Sequence, residues 1–373
     1  MKLSRVLSTE SPAPQASGTL DHYAMLDALR GVAALAVVLY HFSDRFEMPW
    51  LASHGYLAVD FFFIMSGFVL VEAYGARLKD GRMAVGRFFQ IRLVRLLPLV
   101  VLSTAFAYLL ELRRPDVLDP ALHAREALAT FALNALILPS PFTTTMHGTL
   151  FPLNNAIWSL FFEGLANLVL PFWILARHRG RWLEILMLLS AVAMIRGAMA
   201  YGTIQLGFDW STIAYGVPRI ALSFGYGILL HRYRRRLPAV PAWIPTVALC
   251  GLLAVGPLGR LNPLFDTLSL IVLLPCVTAL AIGVRNGPGL RRVSAVFGDL
   301  SYPVYALHAP IVRIVTTLTA RYPLDLWSRL AVLLVALVCI VGLAALVYAK
   351  FDVPVRRVLM RSLARPAPSR PLA

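Results

Sequence analysis

Charge is scarce in this chain, and acid is scarcer than base. Only 14% of its 373 residues are charged, against about a quarter in an ordinary water-soluble domain. A soluble protein of this length could not cover its surface with so few charges. The 58% of hydrophobic residues therefore includes surface turned toward lipid. Cysteine is nearly absent. Cys250, Cys276 and Cys339 each lie inside an apolar run, with neither the spacing of a metal site nor a disulfide framework. They read as small buried apolar residues. The opening residues, rich in Ser, Pro and Ala, lack the basic-then-apolar pattern of a cleaved signal peptide. Residues 1–24 read as a disordered cytoplasmic tail. No internal repeat and no long linker marks a second domain. The net charge of +16 would ordinarily raise nucleic acid as a partner. Here the basic residues fall between apolar runs, which points away from nucleic acid and toward membrane orientation.

What the chain has in quantity is apolar runs of about 20 residues, the length that crosses a bilayer. They lie near 26–46, 55–74, 94–112, 156–175, 182–201, 213–230, 241–257, 266–284, 300–318 and 327–348. A shorter run, 125–138, ends at Pro139 and reads as an interfacial or re-entrant helix. When the ten spans alternate from a cytoplasmic N-terminus, 25 of the 35 Lys and Arg residues fall on the cytoplasmic side and seven outside. That bias fits the positive-inside rule. The expected fold is an all-α polytopic membrane protein of about ten transmembrane helices, with both termini cytoplasmic. Residues 25–350 form the membrane domain and 351–373 a basic cytoplasmic tail.

Ionisable groups within such spans are costly, about 2.5–3.5 kcal/mol each on insertion scales, and so mark candidate sites. Arg30 and His41 are eleven residues apart in LDALRGVAALAVVLYHF. That spacing is about 20° from a whole number of turns, so they share a face, separated by roughly 16 Å along the axis. Asp60, in GYLAVDFFFIMSGF, is expected at the depth of His41. There it would fix the imidazole's tautomer, or simply tie two helices together. Ser66 serves either close packing or substrate contact. Arg92 and Arg95, with Arg87 in GRFFQIRLVRLLPL, stand at a membrane boundary. They are either orientation markers or a clamp for an anionic donor. Glu163, in WSLFFE, needs a partner among Arg196, Arg219 and His41. Trp158 suits the interfacial aromatic belt. In GDLSYPVYALHAP, a lone His308 would read as a structural hydrogen-bonder, but Tyr302, Tyr305 and two prolines beside it point to the lining of a cavity.

These segments resemble the acyltransferase-3 family of bacterial membrane O-acyltransferases. The arginine–histidine spacing of the first helix matches, as do the G-x-x-x-V-D-x-F-F-x-x-S-G-F pattern, R-x-x-R-x-x-P, W-S-L-x-x-E and G-x-x-S-Y-x-x-Y-x-x-H-x-P. A closing acid-x-P-x-R-R run, FDVPVRRVL, follows in family order. Where many members continue W-S-L-x-x-E with a second Glu and aromatic residues, this chain reads GLAN, so only Glu163 is carried over. The terminal acid is Asp352 in place of Glu. The resemblance implies transfer of an acyl group, usually acetyl, from cytoplasmic acyl-coenzyme A to a hydroxyl on a glycan or related acceptor. It implies His41 as the central catalytic residue with Arg30 on the same path, and no metal.

The chemistry is consistent with that expectation. A thioester is already activated, so a base or nucleophile and oxyanion donors suffice. His41, oriented by Asp60 and with Glu163 nearby, would act as base or acyl carrier. Arg30, Arg92 and Arg95 would hold the donor's anionic end. Ser66, Trp158, Tyr302, Tyr305 and His308 would line the cavity. The rival class is a secondary transporter or lipid-linked glycan flippase, which also places charge within the membrane. The absence of matched, interrupted halves in the sequence weighs against it.

Overall fold

The computed structural model describes residues 23–114, 119–142, 148–176, 181–285 and 287–364. Among these there is no strand, and one isolated bridge joins Thr149 to Asp209. The helices are α1 (Ala24–Arg45), α2 (Gly55–Lys79), α3 (Val85–Glu111), α4 (Pro120–Ala135), α5 (Ile157–Leu175) and α6 (Trp182–Tyr201). They continue as α7 (Ile213–Arg236), α8 (Trp243–Leu253), α9 (Gly259–Gly283), α10 (Pro288–Thr319) and α11 (Leu326–Leu363). Eight of them are long and apolar enough to cross a membrane: all but α4, α8 and α10.

The two expected spans that fall outside those eight do so for different reasons. Helix α8 covers only 11 residues of the run expected at 241–257. Helix α10, with 32 residues, is long enough. However, it carries Arg291, Arg292, Asp299, His308 and Arg313 along its length, so its composition is too polar. Arg291, Arg292 and Asp299 are exposed toward its N-terminal end, whereas His308 is buried and Arg313 half-buried where α10 packs along α1 and against α3 and α11. The short helix expected at 125–138 appears as α4, beginning earlier. Asp119 caps it by accepting from the Ala121 and Leu122 amides, each at 3.0 Å, with Pro120 in the first turn where no amide is missed.

Apolar character did not report burial. Cys250, Cys276 and Cys339 are free thiols exposed on the outer faces of their helices, not the buried residues expected. In a protein whose exterior meets lipid, Leu188, Leu189 and Val338 are outward too, so hydrophobicity no longer separates inside from outside. At the C-terminus, the described part of the basic segment, residues 351–364, is helical. The backbone passes through a wide turn at Tyr348–Asp352 and continues as helix to Ala364. Arg356 holds the Asp352 carboxylate across one turn. The remainder of both expected tails, 1–22 and 365–373, lies outside the described residues.

Helices α2 and α7 cross at two glycines. A Cβ on Gly67 would strike the Phe224 carbonyl, and one on Gly227 would strike the backbone at Ile64 and Phe68. Small residues here let two backbones meet. Gly227→Leu should force the helices apart at a cost of about 1–3 kcal/mol, read as a lower melting temperature in detergent. An unchanged melting temperature would contradict the close crossing.

Candidate active site

Three cavities follow one another through the bundle, and shared residues join them. The first, ≈ 110 Å³, is lined by Arg30, Ser66, Arg92, Arg95, Glu163 and Tyr302, with Tyr305 at its inner wall. The second, ≈ 40 Å³, takes the same Tyr305 and adds His41, His308, Trp158 and Arg219. The third, ≈ 600 Å³, begins at His41 and Asn155 and opens at the far end of α1, beside Arg45. At about 30 Å³ per water, the first has room for a narrow chain and not for a nucleotide. The second holds little more than one small group.

Polar contacts within the first cavity differ from those expected. Glu163 pairs with Arg92 at 2.5 Å, not with Arg196, Arg219 or His41, and accepts from Ser66 Oγ at 3.1 Å. Arg92 is itself buried. Its charge is therefore committed to Glu163 and not free for a ligand. Arg30 is similarly engaged. It donates to Ser301 Oγ and to the Gly298 carbonyl, both at 2.8 Å, and pairs with Asp27 at 3.0 Å. Arg95 makes no ion pair or hydrogen bond among the described residues, so it is the lining cation left available. Tyr302 donates to the Leu96 carbonyl at 2.7 Å.

Asp60 does not orient His41. Its carboxylate takes two donors from Arg219, Nη2 at 2.7 Å and Nε at 3.0 Å, and a third from Ser223 Oγ at 3.3 Å. Arg219 completes its fork with the Leu206 carbonyl at 3.0 Å, and its guanidinium lies 5.1 Å from the Trp158 ring centre. Trp158 is accordingly a buried wall residue, not part of an interfacial belt. The expectation placed Asp60 by depth alone. Depth does not fix rotation about the helix, and a bidentate guanidinium is a better partner for a desolvated carboxylate than a neutral imidazole.

The residue that does face His41 is His308, with ring centres 5.2 Å apart. Its Nδ1 lies 2.7 Å from the Tyr305 carbonyl. A carbonyl only accepts, so the proton sits on Nδ1 and Nε2 carries the lone pair. That Nε2 is buried without a partner among the described residues, on a side chain lining the His41 chamber. Pro310 fixes the backbone nearby. It offers no amide to the Ala306 carbonyl, and Asn154 supplies the missing donor at 2.9 Å. The Tyr305 hydroxyl donates to the Ala156 carbonyl at 3.0 Å and lies 2.7 Å from Ser159 Oγ. Asn154 and Asn155 were legible only as neighbours of WSLFFE and Ser159 only as a member of it, and nothing in the pattern marked Tyr40, Tyr56 or Gln205 as walls of the same chamber. Among the described residues no group of three His, Cys, Asp or Glu side chains is placed to hold a metal ion.

The buried pair gives a test that separates architecture from chemistry. Removing one partner strands a charge, at about 3–5 kcal/mol, whereas replacing both by apolar residues costs far less. Arg219→Leu should therefore melt well below the Asp60→Leu, Arg219→Leu double variant. Equal melting temperatures would contradict a desolvated ion pair.

A family profile described as an acyltransferase domain matches residues 23–349. The chain is similar to "Protein 2 in picA locus" of Rhizobium radiobacter, 38% identical over 189 residues, which is 48% of this chain and 97% of that protein. It is 27% identical to the putative peptidoglycan O-acetyltransferase YrhL of Bacillus subtilis, over 91% of this chain and 56% of YrhL. It is 24% identical to the peptidoglycan O-acetyltransferase OatA of Listeria monocytogenes, over 89% of this chain and 55% of OatA. The chain thus spans about half the length of these two relatives. No solved structure matches it significantly. The matched range takes in every lining residue named above, and the chain belongs to the acyltransferase-3 family of membrane O-acyltransferases.

Proposed function

We propose that this protein moves an acetyl group from acetyl-coenzyme A on the cytoplasmic side to a hydroxyl of a glycan or related acceptor on the other side. In this reading it sits in the bacterial inner membrane, and α8 and α10 join the eight apolar helices to make ten crossings with both termini cytoplasmic. The observation that supports it best is the succession of cavities, joined at Tyr305 and at His41. A thin acyl-bearing arm fits the first, an acetyl-sized group the second, and a bulky acceptor the third.

Arg95 and the engaged Arg30 present positive charge at the donor mouth, and the coenzyme's nucleotide stays outside. His41 Nδ1 or Nε2 takes the proton of the acceptor hydroxyl. The oxygen attacks the thioester carbonyl, the carbon–oxygen bond forms, and the carbon–sulfur bond breaks. The proton held by His41 then passes to the departing sulfur. Ser159 in the first cavity and Tyr305 between the first and second become hydroxyl donors to the charge that develops on the carbonyl oxygen once they turn from the Ala156 carbonyl that both now bind. His308, with its bare Nε2 toward the chamber, is a neutral acceptor that keeps the acceptor hydroxyl or a water oriented toward His41.

Labelled acetyl-coenzyme A tests the reading. Purified protein with an acceptor should consume it, and His41→Ala should lose at least about 10²-fold in turnover while keeping its melting temperature. Arg95→Ala should weaken donor binding about tenfold or more, the loss of one charge-assisted contact of about 1.5–3 kcal/mol. A stable His41→Ala protein that still turns over rejects the assignment. A wild-type protein that moves its ligand across unchanged would be a transporter.

A further inference from the structure

The largest of the three connected cavities is also strongly one-signed. Arg45, Arg113, Arg114 and Arg313 line its ≈ 600 Å³, and no carboxylate does so among the described residues. The volume lies within the roughly 300–1,000 Å³ of ordinary ligand pockets. Glu111 lies behind the wall, fully buried, and is already shared. Arg313 reaches it at 2.6 Å, Arg114 at 3.5 Å and the His123 ring at 3.4 Å. One carboxylate cannot neutralise that set. Arg313 retains a terminal nitrogen, Nη1, that is buried without a hydrogen-bond partner among the described residues. Arg45 and Arg113 are exposed and make no ion pair among those residues.

The distribution of cations along the chain sharpens the point. Lysine and arginine are avoided on the side of a membrane away from the cytoplasm. In the orientation proposed above, seven of 35 fall there, and Arg45, Arg113 and Arg114 are three of them. They gather at this cavity together with Arg313, which stands within α10. Arginine is the side chain that binds carboxylate and phosphate in a two-pronged fashion. Thr316, Thr317 and Asn155 stand among them as neutral partners for hydroxyls. At the inner end is His41, shared with the small chamber.

We propose that the acceptor is anionic: a polyhydroxyl sugar whose carboxylate or phosphate is held by Arg45, Arg113 and Arg313 while one of its hydroxyls reaches His41. This rests on the reading that the acceptor enters by this cavity. The carboxylate–arginine contact sets which sugar is bound and in which direction it points. A neutral glycan forms no such contact and has only the threonine, asparagine and imidazole groups to hold it.

Binding of two probes that differ in charge, and otherwise by one methyl group per sugar, decides it without any donor present. Trigalacturonate and its fully methyl-esterified form are titrated by calorimetry into the full chain in phosphatidylcholine nanodiscs at low salt. The acid should bind at least tenfold more tightly than the ester. Arg45→Gln combined with Arg113→Gln should remove most of that advantage, and Arg313→Gln should do the same where it folds. Equal binding of acid and ester overturns the proposal, as does an advantage that survives the Arg45 and Arg113 changes. Loss of trigalacturonate binding when phosphatidylglycerol replaces part of the phosphatidylcholine would make the cavity a lipid-headgroup site and also overturn it. Acetyl-coenzyme A binding is measured on the same samples. If donor binding holds and the acid has no advantage, only the anionic-acceptor inference fails. If donor binding is absent, the acyltransferase reading fails separately.

Discussion

The ion pair between Asp60 and Arg219 fixes the middle of this bundle. Both side chains are withdrawn from solvent, in a region where neither charge could persist alone. The pair joins α2 to α7 one turn or more from the glycine crossing at Gly67 and Gly227. Together they set the spacing of the two helices that form one wall of the His41 chamber. The same solution recurs at each end of the path. Glu163 with Arg92 joins α5 to α3, and Glu111 with Arg313 joins α3 to α10. Each of these three buried carboxylates thus binds an arginine on another helix, and the helices are positioned by charge where apolar packing against lipid gives no preference.

That division of labour separates the groups that hold the fold from those left to act. Asp60, Glu163, Arg92 and Arg219 are committed to one another's neutralisation. His41 makes no hydrogen bond among the described residues, Arg95 has no protein partner there, and His308 presents a bare nitrogen. Groups with unspent capacity lie along the cavities, and the satisfied ones lie beside them.

Much of this was legible in the sequence. Apolar runs located the helices, and the cost of burying charge marked Arg30, His41, Asp60, Arg92, Glu163 and His308 before any coordinates. All of them do line the cavities or pair at their walls. What the sequence could not convey was rotation and partnership. Asp60 and His41 were matched in depth, but helix α2 turns the carboxylate toward α7. Glu163 had three candidate partners and took a fourth, Arg92, because α3 and α5 approach at that height. Trp158 was assigned to the rim by its position near a helix end, whereas the Arg219 guanidinium draws it inward. The three cysteines failed as markers of burial because both sides of these helices are apolar. The polar α10 was expected to span like its neighbours, and the enclosure of its His308 segment by α1, α3 and α11 is a property of the assembled bundle alone.

The central claim is that an acyl group passes through the chain past His41, from one side of the membrane to the other. Sealed proteoliposomes test it most directly, with soluble glycans trapped inside and acetyl-coenzyme A, labelled in the acetyl group, supplied outside. The account predicts labelled glycan within the lumen, no coenzyme A there, and loss of the label when His41 is replaced by alanine. Coenzyme A accumulating inside beside unmodified glycan would contradict it, as would lumenal label that persists in the alanine variant.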